Sequence, residues 1–207
     1  MKRGVINPNK LSYLLVGILV VAIGLFFINI ERIFDITGRA VGTANLTVDS
    51  KTEINFTTNI IDWGNGAVDS GEENATLNTA GGAANITNGN WTGNTAGLVI
   101  ENIGNINVSI DIKTGKTAST FIGGSSSSYQ YNVTNIEAGS CANVTGFNLG
   151  LFYDVNITDP GTGVCSDFTS NDTRDTIRID IKLVIPSDAS QTGSAIGDVI
   201  TVTATAI

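Results

Sequence analysis

Residues Asn105–Lys113 read NINVSIDIK, and Asp175–Ile185 read DTIRIDIKLVI. In the first stretch Ile106, Val108, Ile110 and Ile112 alternate with Asn105, Asn107, Ser109 and Asp111. In the second, Ile177, Ile179, Ile181 and Leu183 alternate with Arg178, Asp180 and Lys182. A period of two places one set on a buried face and the other on a solvated face. Both stretches therefore predict antiparallel strands with one wet side, since parallel strands are apolar on both faces.

The same pattern spreads outward along the chain. Asp198–Ile207 alternates Ile200, Val202, Ala204 and Ala206 with Val199, Thr201, Thr203 and Thr205. Weaker strands are expected at 45–49, 52–58, 97–101, 120–122, 129–134 and 147–155. Turn-rich pieces separate them: DWGNGA at 62–67, GGSSSS at 123–128 and DPGTG at 159–163. Residues 74–95, rich in Asn, Thr, Gly and Ala, are expected as a long loop or an edge hairpin. Short strands joined by turns predict an all-β fold, an antiparallel two-sheet β-sandwich of Ig-like or jelly-roll type over 45–207.

Ahead of this domain, residues 11–30 read LSYLLVGILVVAIGLFFINI, without a charge. Twenty such residues match a hydrocarbon core of about 30 Å. A single transmembrane helix is expected over 11–36, with the lipid bilayer as partner through 11–30. Lys2, Arg3 and Lys10 precede it, so the basic N-terminus, 1–10, is assigned to the cytoplasm and the domain to the outside. Residues 37–44 form a short stalk. A cleaved signal peptide is disfavoured, because its apolar region is usually shorter and lies close to the cleavage site. Lys2-Arg3-Gly4 before an apolar run also resembles an archaeal prepilin processing site. The sequence departs from that pattern: Asn7, Asn9 and Lys10 separate Gly4 from the apolar run, and no glutamate sits five residues after it.

Charge divides the chain at the same place. Residues 1–44 hold five basic and two acidic residues, a net +3; residues 45–207 hold six and seventeen, a net −11. The acidic outer part excludes nucleic acid as a partner, because phosphates require cations. It suits a solvated surface facing away from the cell.

Asn-x-Ser/Thr occurs at Asn45, Asn55, Asn74, Asn85, Asn90, Asn107, Asn132, Asn143, Asn156 and Asn171. Random placement of the chain's Asn, Ser and Thr would give about four matches, and all ten lie beyond the apolar segment. They are expected as N-glycosylation sites. Asn107 falls on the polar face of its strand. Cys141 and Cys165, the only cysteines, also lie outside and are expected to pair as a disulfide.

Catalytic signatures are missing. The chain has no histidine, which removes histidine-based triads and metal sites. Glu72-Glu73 and Asp172/Asp175 are acid pairs in polar, turn-like stretches and read as solvated charge. The acidic stretches 62–73 and 167–175 do not match the twelve-residue calcium loop. No enzyme activity, cofactor or metal is expected. Trp63 and Trp91 are candidate contact aromatics, one a core plug and the other exposed.

Two segments carry a family resemblance. Gly97–Ile112, GLVIENIGNINVSIDI, resembles the hairpin with an Asn-x-Gly-Asn turn found in the TasA–camelysin family and in archaeal and bacterial Ig-like surface modules. Asp180–Thr205 is similar to the closing hairpin of such modules, and Ile36–Val48 to the stalk of archaeal surface proteins. The resemblance implies a structural or adhesive cell-surface protein with self-association or envelope partners. In TasA-like members it implies a fibre built by strand exchange, and the prepilin likeness implies a filament subunit. A Trp-lined patch for carbohydrate or another small ligand is the remaining expectation.

Overall fold

The computed structural model describes residues 16–21, 46–93, 95–190 and 196–207. The chain divides into two units, Met1–Thr47 and Val48–Ile207. In the first, residues 16–21 are helical, and Val16, Ile18, Leu19, Val20 and Val21 are exposed. Among the described residues no helix is long and apolar enough to cross a membrane. The rest of the predicted 11–36 segment, the N-terminus 1–10, the stalk 37–44 and Asn45 lie outside the described residues.

The second unit is built from two antiparallel sheets. Its strands are β1 (Ile54–Thr58), β2 (Asn74–Asn78), β3 (Asn85–Thr87), β4 (Leu98–Asn102), β5 (Val108–Thr114) and β6 (Ser128–Asn135). They continue as β7 (Cys141–Asn143), β8 (Tyr153–Asp154), β9 (Thr162–Phe168), β10 (Thr176–Pro186) and β11 (Ile200–Ala206). The larger sheet runs β1-β4-β10-β2-β3, with β6 also on β10 and β8 on β6. The smaller runs β11-β5-β9-β7.

One apolar core serves both sheets. Val108, Ile110 and Ile112 of β5 are fully buried, as are Ile177 and Ile179 of β10, and Ile181 and Leu183 are nearly so. They join Leu77, Ile100, Tyr131, Val133, Val164 and Phe168 in a single cluster. The alternation read in these strands is thus the alternation between core and outer face. Asp180 departs from it: the sequence puts it outside in solvent, yet it has no exposed surface.

From β4 onward the chain changes sheet at every connection. This corrects the hairpin reading of Gly97–Ile112. β4 and β5 lie in different sheets, so the Asn-x-Gly-Asn turn is an arch across the core rather than a hairpin. The same holds for β10 and β11. Buried Asn102 fixes the arch. Its amide donates to the carbonyls of Ile106 and Phe168, each at 3.1 Å, and its oxygen accepts from the N–H of Gly104. A Cβ on Gly104 would collide with the Lys51 carbonyl, so the position requires glycine. Asn105 then ties down the entering chain, accepting from the Lys51 N–H and donating to the Asp49 carbonyl.

Other expectations need correction. Residues 46–49 form no strand, and 120–122 fall at a helical turn, Ala118–Phe121. Thr117 caps that turn, accepting from the Thr120 N–H. Of 147–155 only Tyr153–Asp154 is a strand. Residues 74–95, by contrast, match the edge-hairpin expectation: β2 and β3 form a hairpin with β3 at the sheet edge and β2 on β10. Two strands, β7 and β9, were not anticipated. In β9 the register on β5 shifts twice, which breaks the two-residue period the sequence would have to show.

Replacing Asn102 with alanine leaves the carbonyls of Ile106 and Phe168 without that donor. Asn102→Ala is expected to lower the unfolding free energy by about 1–3 kcal/mol, and exposed Asn105→Ala by less than about 1 kcal/mol, in urea titrations of the two variants.

Candidate functional site

The sequons distribute unevenly over the surface. Asn55, Asn74, Asn85, Asn90, Asn143 and Asn171 are exposed, and Asn107 and Asn156 are half-buried. Asn132 is only 3 % exposed. It lies in β6 directly opposite Asp180 of β10. A glycan cannot be carried by a side chain so enclosed, so Asn132 is not an accessible site in the folded domain. Asn107 stands on the polar side as expected, but its oxygen accepts from the Ser170 N–H at 3.1 Å.

Two sequons share a local geometry. The oxygen of Asn156 accepts from both the N–H and the hydroxyl of Thr158, at 3.0 and 2.6 Å. That of Asn171 accepts likewise from Thr173, at 3.1 and 2.7 Å. These are Asx turns, in which the asparagine carbonyl replaces a backbone acceptor. The amide nitrogen of Asn156, where a sugar would be attached, donates to the Thr162 hydroxyl at 3.4 Å.

Cys141 and Cys165 form a disulfide, with Cα atoms 5.4 Å apart. It joins neighbouring strands β7 and β9 at one end of the smaller sheet, and both residues are buried. Its loop is of the size expected to stabilise the fold by about 3.5 kcal/mol in the chain-entropy model.

Neither tryptophan is a free contact residue. Both are half-buried and pack against the core. The Trp91 ring fills space that side chains on Gly66 and Gly89 would occupy, and it lies next to Ala75. Its strand-like neighbours are held together by hydrogen bonds from the Asn90 N–H to the Ala67 carbonyl and from the Gly93 N–H to the Trp63 carbonyl. The two glycine-rich stretches that read as separate loops thus form one ribbon, with the tryptophans as its packing. A cavity of about 250 Å³ lies elsewhere, lined by Thr117, Ser128, Tyr129 and Asp154 among others. Neither tryptophan lines it.

The acidic residues do not gather into a site. Among the described residues no group of three or more His, Cys, Asp or Glu is placed to hold a metal ion. Glu72, Glu73 and Asp172 are exposed. Asp175, read as solvated, is instead 5 % exposed, and burial raises its carboxyl above the ordinary range. Asp180 is the most enclosed of the acids. It accepts from Arg178 Nε at 3.0 Å and from the Thr79 hydroxyl at 3.1 Å. Burial raises its pKa, and the bonds from Arg178 and Thr79 only partly oppose that. No protein-family model, curated protein or solved structure matches this chain.

Because the folded Asp180 holds its proton to higher pH than the unfolded chain does, its contribution to stability has a definite sign. That contribution is full below the ordinary carboxyl value of 3.8 and is lost as pH rises through the raised folded value. Asp180→Asn, which cannot ionise, removes this dependence. The unfolding free energy of the variant minus that of the wild type is expected to grow as pH rises from below 3.8 to neutrality; a constant difference contradicts the assignment.

Proposed function

We propose that the chain is a non-enzymatic, N-glycosylated cell-surface protein, held to the membrane by residues 11–36. Its Ig-like or jelly-roll sandwich would act by contact with the envelope or with other copies. The observation that carries this reading is the exposure of six sequon asparagines on a domain that follows a charge-flanked apolar segment. The disulfide supports the same side of the membrane, since such bonds persist in oxidising surroundings. Nothing about Trp63 or Trp91 supports a sugar-binding patch, because both serve as packing.

Glycopeptide mass spectrometry of the native protein tests the modification. We expect sugar on about four or more of the six exposed asparagines and none on Asn132. Unmodified peptides at all six exposed positions would remove the central support of the reading.

A filament subunit is the second reading, favoured by Lys2-Arg3-Gly4 ahead of the apolar run. N-terminal sequencing of the mature protein separates the two. A retained anchor keeps the residues before Val5, whereas a mature chain beginning at Val5 is the processed, pilin-like form.

A further inference from the structure

Among the described residues, five strands lie at open edges of the two sheets: β1, β3, β7, β8 and β11. Unpaired edges invite pairing with other chains, and proteins commonly obstruct them. β1 carries exposed Asn55, β3 exposed Asn85 and β7 exposed Asn143, each within a sequon. β8 is a two-residue strand followed closely by Asn156. β11 differs. Ile200–Ile207 holds no sequon, no charge and no proline.

Among the described residues β5 is the only paired neighbour of β11, and no strand pairs with its second side. The Gly115 N–H donates to the Val199 carbonyl, and the Ile207 N–H to the Asn107 carbonyl. In an antiparallel ladder these bonds alternate, so the odd-numbered residues of β11 turn their backbone groups toward β5. Ile200, Val202, Ala204 and Ala206 therefore turn theirs away from it.

We propose that this edge is a dimer interface, on which β11 of a second copy pairs antiparallel about a two-fold axis at Thr203. The partner's β11 fits for three reasons. With that axis, Val202 and Ala204 of opposing strands exchange backbone bonds, which is the parity the free groups require. Thr203 then faces itself and Thr201 faces Thr205, a row of cross-strand threonine pairs. Val199 and Ile207, 70 % and 66 % exposed, fall opposite each other and cover one another at both ends of the row. The strand itself carries no charge, so no like charges meet along the paired edge. The contact is isologous and closes as a pair. The obstruction of the other edges rests on the glycan reading above; the pairing of β11 does not.

Cysteine cross-linking of the full chain in detergent tests the register. Both native cysteines are in the disulfide, so an introduced cysteine is the only free thiol. Thr203→Cys is expected to give a covalent dimer on mild oxidation, because facing residues of a non-hydrogen-bonded pair lie about 4.5 Å apart. Thr201→Cys and Thr205→Cys should each remain monomeric alone and cross-link when mixed, since like positions would be about 13 Å apart. A second measurement guards against misfolding: Thr203→Lys sets like charges face to face and should sediment as a monomer where the wild type sediments as a dimer. A monomeric wild type, or Thr201→Cys linking to itself as fast as Thr203→Cys, overturns the proposal. Glycopeptide results do not bear on either outcome, so failure of the glycan reading and failure of this one are separately visible.

Discussion

The larger sheet depends on the hydrogen-bonding capacity of one strand. β10 pairs with β6 along one side from Ile177 to Val184. Its other side is divided: β4 takes Thr176–Ile179 and β2 takes Lys182–Pro186. Between them lies a seam at Asp180 and Ile181, where neither strand supplies partners. Thr79 fills it. Its hydroxyl accepts from the Ile181 N–H at 2.9 Å, and its own N–H donates to the Ile181 carbonyl at 3.0 Å. Gly97 lies against the same place, and a Cβ there would meet the Asp180 carboxylate. Asp180 is buried because it lies over a seam that must be closed, and a buried carboxylate needs its donors from Arg178 and Thr79. The departure from alternation at this one residue is thus a consequence of sharing an edge between two strands.

That seam also separates what could be read in the sequence from what could not. Alternation reports the face of a strand on which each residue falls, and for β5, β11 and, apart from Asp180, β10 it matches the observed burial. It says nothing about which strand lies alongside. Gly97–Ile112 shows the limit. Two apolar runs and a tight Asn-x-Gly-Asn turn look the same whether the second run folds back onto the first or crosses to the facing sheet. The difference lies in Asn102, whose amide reaches the Phe168 carbonyl on β9, sixty-six residues away. A bond that distant in sequence leaves no local signature. β9 itself was hidden for a related reason, since its register shifts place Val164 and Cys165 side by side in the core.

The candidate sites divide in the same way. The spacing of Asn-x-Ser/Thr is a local property, so every match was legible, but access to it is not local. Asn132 and Asn55 have the same sequon form. One lies on β6 beside the fully occupied β10, and the other on β1, with a single neighbour. Only the strand order distinguishes them. The tryptophans teach the converse: both neighbour glycine, which reads as exposed loop chemistry. In the structure Gly66 and Gly89 lie where the Trp91 indole occupies the space their side chains would need, and Gly93 lies against the Trp63 backbone.

Strand order likewise gives meaning to the bareness of β11. A Thr-rich, uncharged strand in the middle of a sheet would be unremarked, because its backbone groups would be satisfied on both sides. At an edge the same composition leaves polar backbone exposed on a strand that itself carries neither charge nor sequon. The half-buried row Ile200, Val202 and Ala204 continues the inner face of the smaller sheet to its margin. An added strand would extend that face rather than open a new one. Pairing there satisfies backbone groups and covers apolar side chains together, and it does so without disturbing the Asn102 arch or the β10 seam on which the fold rests.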